Sequence, residues 1–111
     1  MLRDIPQQAA LRDEEIFGPV AAVYPFETEE EAVAAANDTP FGLASYLYTR
    51  DVSRALRVAD ALDSGMTGVN RGVISNPAAP FGGIKESGLG REGSIDGIEE
   101  YLETKYIGLQ M

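Results

Sequence analysis

The chain has 111 residues, 44% of them hydrophobic and 24% charged, an ordinary globular balance at a length that suits one domain. It contains neither cysteine nor histidine, which excludes a thiolate nucleophile, a disulfide, imidazole catalysis and any zinc site built from nitrogen or sulfur ligands. Nine basic against eighteen acidic residues give a net charge of −9, so nucleic acid and anionic lipid are repelled rather than attracted.

No apolar run approaches the roughly 18 residues that cross a bilayer. Met1 to Pro6 lacks the apolar stretch of a signal peptide, so a cytoplasmic chain is expected. At this length folding buries about 60 to 70% of the unfolded surface, enough for one core with little margin. Carboxylate, lysine and tyrosine remain for acid and base work, and no serine sits in a nucleophile elbow or an S-x-x-K pattern. Taken alone, the chain lacks a visible reaction centre.

Residues 1 to 19 read as irregular, punctuated by Pro6 and Gly18-Pro19, with at most a turn or two of helix over Gln7 to Arg12. Val20 to Phe26 is rich in β-forming residues and reads as a first strand, with Pro25 marking an end or an edge. Thr28 and Glu31 form a capping box that opens a helix over Glu29 to Asn37. The acids Glu27, Glu29, Glu30 and Glu31 suit the positive end of that helix dipole and are assigned no metal chemistry.

After a loop at Thr39 to Gly42, Ala44 to Thr49 alternates as a second strand. Asp51 then caps a helix whose Val52, Ala55, Leu56, Ala59 and Leu62 repeat at the 3.6-residue period, and Gly65 is placed to end it. Met66 to Asn70 reads as a third strand. A β-α-β-α-β order therefore spans residues 20 to 70, which predicts an α/β fold with the core on the helix faces that meet the sheet.

From Pro80 to Gly93 five of the twelve glycines crowd into a loop. Ile95, Ile98 and Leu102 predict a last helix, and Lys105 to Met111 a terminal strand. Gly88-Leu89-Gly90-Arg91-Glu92-Gly93 matches G-x-G-x-x-G, but the dinucleotide fingerprint requires a strand just before it and a further β-α-β unit, and Pro80 to Ser87 does not read as a strand. What remains is a glycine-rich loop that lets backbone and ligand approach closely.

Three blocks resemble the aldehyde dehydrogenase superfamily, in its order and at its spacing: Glu14-Glu15-Ile16-Phe17-Gly18-Pro19, Asn37-Asp38-Thr39-Pro40-Phe41-Gly42-Leu43-Ala44, and Pro80 to Gly93. The stretch Gly65 to Asn76 and the Gly-Leu-Gly-Arg-Glu-Gly-Ser wording are most similar to succinate-semialdehyde dehydrogenases. The resemblance covers nearly the whole chain and matches the C-terminal portion of such an enzyme. It implies residues 1 to 104 as the C-terminal part of a catalytic domain and 105 to 111 as the strand that joins a neighbouring subunit. It also implies an upstream cysteine nucleophile, glutamate base and Rossmann domain. The missing cysteine then reads as a sign that the chain is a piece, inactive alone and binding no cofactor by itself.

Carried over by residue, the resemblance implies that Glu15 accepts from the nicotinamide ribose of NAD or NADP and that Phe17 packs beside the nicotinamide. It implies Phe81 as an aromatic of the substrate tunnel and Ser75 as a hydroxyl donor to the distal carboxylate of the substrate. Glu92 matches a carboxylate placed in proton relay, with an ion pair to Arg91 as the structural alternative. Arg71 reads as a solvated loop arginine, and no metal site is implied. The expected partners are the remainder of the dehydrogenase and a neighbouring subunit, as a homo-oligomer, with neither nucleic acid nor membrane. Two other readings stand beside this one. The chain could be a non-catalytic module that associates with a full-length dehydrogenase or with itself, or a small α/β domain using the glycine-rich loop as an anion cradle.

Overall fold

In the computed structural model, which describes residues 1–6 and 8–111, local capping sets both longer helices. Helix α1 spans Glu29–Asn37. The Thr28 hydroxyl accepts from the Glu31 amide at 3.1 Å, and the Glu31 carboxylate reaches back to the Glu27 amide at 2.9 Å. Helix α2 spans Val52–Ala61, with the Asp51 carboxylate accepting from the Arg54 amide at 3.1 Å. The two helices are tied by Glu29, which accepts from Arg57 at 2.6 and 2.9 Å and from Arg54 at 3.0 Å.

Two small sheets accompany them. Strand β1 (Phe41–Gly42) pairs antiparallel with β4 (Ile84–Lys85). Strand β2 (Ala44–Leu47) pairs in parallel with β3 (Met66–Val69), Ala44 opposite Met66 and Leu47 opposite Val69. Helix α2 is the crossover between β2 and β3, the connection that the strand and helix order predicts. A last short helix, α3, covers Asp96–Glu99. Near the N-terminus a single 3-10 turn at Ala10–Arg12 is the observed part of the expected helical turn, and Gln7 lies outside the described residues.

Several expectations are corrected. Val20 to Phe26 is not a strand: it makes one parallel bridge, Leu2 with Ala22, and the rest of its backbone has no adjacent strand to pair with. Lys105 to Met111 likewise forms no strand here, since β propensity needs a partner backbone before it becomes structure. The loops at Thr39 to Gly42 and Pro80 to Ser87 each contribute a two-residue strand, because they lie against one another as β1 and β4. The last helix is one turn long and leaves Leu102 outside.

Gly65 does not end α2. The helix closes at Leu62, whose amide still bonds to the Val58 carbonyl, and the cap comes from elsewhere. Asn37 at the end of α1 donates to the Ala61 carbonyl and accepts from the Asp63 amide, both at 2.8 Å. Gly65 serves close approach instead: a Cβ there would lie 2.0 Å from the Gly82 carbonyl oxygen.

The expected single core is the largest correction. Among the described residues Val58, at 8% exposure, is the buried hydrophobic side chain, set where α2 meets β2 and β3. Val52 and Leu56, predicted to face the sheet, are 74% and 70% exposed, because the helix turns the Ala55, Val58 and Leu62 stripe inward. The molecule extends over 71 × 34 × 25 Å with a radius of gyration of 18.3 Å, where a compact domain of this length would have about 13 Å. A two-stranded parallel sheet with a helix on one face is itself unusual, since parallel sheets are normally covered on both. No helix among the described residues is long and apolar enough to cross a membrane.

Candidate functional site

The segment from Asn70 to Ser94 builds the site. Strand β3 ends at Val69, and Asn70 takes up a left-handed conformation with φ 53°, which a short polar side chain tolerates. Its carboxamide accepts from the Thr49 amide at 2.9 Å and donates to the Thr49 carbonyl at 2.8 Å, so the chain leaves the sheet at a fixed point. Arg71 donates to the Val73 carbonyl at 2.6 Å and is otherwise a surface residue, as expected. An Asn76 turn follows, in which Ala78 donates to the Asn76 side chain at 3.0 Å, and Ser94 donates to the Pro77 carbonyl at 3.1 Å.

This path leaves Ser75 and Phe81 on one concavity of about 280 Å³, with Leu43, Tyr46, Met66 and Ile74 among its walls. Its lining is mainly apolar. Ser75 is exposed, and its hydroxyl has no hydrogen-bond partner among the described residues. A mainly apolar wall carrying the Ser75 hydroxyl suits a short aliphatic ligand with a polar end.

Phe81 is held from the other side by Glu92. The two residues exchange backbone hydrogen bonds of 2.8 and 2.7 Å, closing the glycine-rich loop at its mouth. Within that loop Gly88, Gly90 and Gly93 have φ of 110°, 84° and 69°, conformations that glycine adopts without strain. The run does not open a helix, and α3 begins only at Asp96, so its geometry is that of a folded-back loop and not of a dinucleotide fingerprint. The expected Arg91 to Glu92 ion pair is not formed. Arg91 instead donates to the Gly83 and Gly90 carbonyls at 2.8 and 2.7 Å, while its amide donates to Glu100 at 3.2 Å.

Glu15 and Phe17 lie apart from Ser75 and Phe81. Glu15 borders a different concavity of about 500 Å³ near Asn37 and Ser64, and Phe17 is 93% exposed. The structure thus brings together Ser75, Phe81 and, through its backbone, Glu92, and does not bring Glu15 and Phe17 to them. The sequence pointed to Arg91 only as an ion-pair partner of Glu92 and to Asn70 only as a strand end, and not to the hydrogen bonds that each one makes. An asparagine directly after a strand and two residues before a glycine was the available signal for Asn70. Arg91 had none, because its partners are carbonyls. Among the described residues no group of three or more acidic side chains is placed to hold a metal ion.

Residues 1–107 match the model of the aldehyde dehydrogenase family. The chain belongs to that family. A glutarate-semialdehyde dehydrogenase of Pseudomonas putida is 61% identical over 107 residues, covering 96% of this chain and 22% of the relative. A succinate-semialdehyde dehydrogenase of Paenarthrobacter nicotinovorans is 57% identical over 109 residues, 98% of this chain and 24% of the relative. Among solved structures, an NADP-dependent enzyme of Escherichia coli superposes with a TM-score of 0.88 at 58% identity, over 96% of this chain and 23% of that one. The chain therefore spans less than a quarter of the length of these proteins.

Proposed function

We propose that the chain serves as the C-terminal part of an NAD(P)-dependent aldehyde dehydrogenase that oxidises an aldehyde bearing a distal carboxylate, succinate semialdehyde first among them. Residues 1 to 104 act as part of the catalytic domain and 105 to 111 as the strand that joins a neighbouring subunit of a homo-oligomer. The meeting of Ser75 and Phe81 on one apolar concavity supports this reading most directly. The semialdehyde dehydrogenases among the relatives add to it.

In this reading Phe81 and the walls beside it exclude water from the carbon chain of the aldehyde, and the Ser75 hydroxyl donates to the distal carboxylate, a charge-assisted bond that fixes which end enters first. Glu15 accepts from the ribose hydroxyls of the cofactor and Phe17 packs against its nicotinamide side. Both residues are exposed and Glu15 has no hydrogen-bond partner among the described residues, so a free carboxylate and an uncovered ring are present to meet such a group. When bound, the nicotinamide supplies the hydride acceptor. The cysteine nucleophile belongs to the rest of the dehydrogenase, since this chain has no cysteine, and the water-activating glutamate is assigned there with it.

Two measurements test the proposal. The purified 111-residue chain, mixed with succinate semialdehyde and NAD or NADP, should form no reduced nicotinamide. It should bind a dye specific for exposed apolar surface and self-associate, since Leu89, Tyr106 and other large apolar side chains lie open to solvent. Turnover that tracks the chain, or a monodisperse monomer that binds no dye, would overturn the reading of a dehydrogenase segment made to dock.

A further inference from the structure

We propose that Arg91 is a positioning residue for the substrate concavity, holding Phe81 in place by clamping the two legs of the glycine-rich loop; this rests on the reading of that concavity as the aldehyde site. The loop leaves Phe81 through Gly82 and Gly83 and returns through Gly90 to Glu92. One nitrogen, Nη1 of Arg91, donates to the Gly83 carbonyl on the outgoing leg at 2.8 Å and to the Gly90 carbonyl on the returning leg at 2.7 Å. Both of its hydrogens are thus engaged, one on each leg. The legs touch at the same place: a Cβ on Gly82 would lie 2.5 Å from the Gly90 oxygen and 3.0 Å from Arg91 Cδ. Phe81, the next residue out, is joined to Glu92 by a bridge of two hydrogen bonds. Such an isolated bridge holds its register weakly unless something closes the loop beyond it.

Arg91 supplies that closure. Its guanidinium is half-buried, and although Glu92 and Glu100 are close in the chain and in space, no ion pair forms with either. The charge is directed at neutral backbone carbonyls, both reached by one nitrogen of a planar guanidinium, whose rigidity fixes their geometry more closely than a flexible ammonium would. Phe81 lines both the Ser75 concavity and the larger one beneath the loop, so a shift in the loop moves the wall of the substrate concavity directly.

The test uses the assembled dehydrogenase that carries this segment, with R91M, R91K and F81L. Amide hydrogen exchange over residues 80 to 93 reads the clamp without substrate: R91M should speed exchange at the Phe81 and Glu92 amides about tenfold, with R91K between it and the parent. In kinetics, R91M should raise KM for succinate semialdehyde about fivefold with kcat within about twofold. The double variant R91M/F81L should be no worse than F81L alone, because residues that act through one another are not additive. Unchanged exchange in both arginine variants, or additive KM effects, would overturn the inference. If the parent enzyme does not oxidise the semialdehyde, the functional proposal falls, and the exchange measurement still decides the role of Arg91.

Discussion

Asn37, the last residue of α1, holds the Asp63 amide beyond the end of α2, accepting from it at 2.8 Å while its own amide group donates to the Ala61 carbonyl at 2.8 Å. A helix end leaves carbonyls without partners, and here a side chain 24 and 26 positions away satisfies one of them and fixes the direction in which the chain departs toward β3. Each net hydrogen bond contributes about 1 kcal/mol, so N37A should speed exchange at the Asp63 amide by about fivefold. The Ala55 amide, bonded to the Asp51 carbonyl in the first turn of the same helix, should keep its rate. Equal acceleration at both would show that the whole helix had loosened and that the clip is not local.

Glu29 carries the pH dependence of the contact between α1 and α2. The hydrogen bond from Arg57 holds its carboxyl below the ordinary value of 4.5, aided by the bond from Arg54 and the charges of both arginines, against partial desolvation that acts the other way. A depressed carboxyl contributes stability that is complete above 4.5 and is lost as the pH falls through the folded value. E29Q should therefore be less stable than the parent at neutral pH, with the difference narrowing below pH 4.5 and vanishing once Glu29 is protonated. Parallel denaturant titrations across that range check it, and a gap that persists in acid would assign the effect to packing.

The two helices were legible because their signals are local: Thr28 and Asp51 each cap an amide three residues on. The pairing of β2 with β3 followed from alternation and a crossover of the right length. Val20 to Phe26 and Lys105 to Met111 misled because a strand is a relation between two backbones, and the sequence describes one of them. The inward stripe of α2 was misjudged for a related reason. Val52 and Leu56 fit the helical period, but the partner that decides which face turns inward is a sheet of two strands, and the covered positions are Ala55, Val58, Ala59 and Leu62. Ser75 and Phe81 were drawn together by their resemblance to family motifs, whereas nothing local announced that Arg91 would grip carbonyls instead of Glu92.

In the proposed function, removal of Ser75 should separate binding from chemistry. Its hydroxyl is free among the described residues and faces a mainly apolar concavity. A hydrogen bond to a charged group contributes about 1.5 kcal/mol, which corresponds to about tenfold in affinity. On the proposed function, S75A in the assembled enzyme should raise KM for succinate semialdehyde about tenfold and leave kcat within about twofold, while an uncharged aldehyde of similar length is little affected. Equal losses on both aldehydes would remove Ser75 from carboxylate recognition.

Gly65 is the position where the smallest change should do the most damage. Strand β3 begins one residue later, and the Gly65 amide donates to the Gly42 carbonyl at 2.9 Å, so β1, β3 and the glycine-rich loop converge there. A methyl group at Gly65 would lie 2.0 Å from the Gly82 oxygen and 2.8 Å from the Gly83 Cα, both backbone atoms that cannot rotate away. G65A should cost about 3 kcal/mol or more, the upper end of overpacking, because relief requires the loop to move off β3. It should also loosen the loop that carries Phe81, raising exchange across residues 80 to 93. At Gly72 the nearest atom to a new Cβ is the Tyr48 hydroxyl at 3.8 Å, so G72A should leave both stability and exchange unchanged. Thermal unfolding and exchange of the two variants in parallel check the contrast, and a mild G65A would mean that the loop does not pack against β3 as closely as its backbone contacts require.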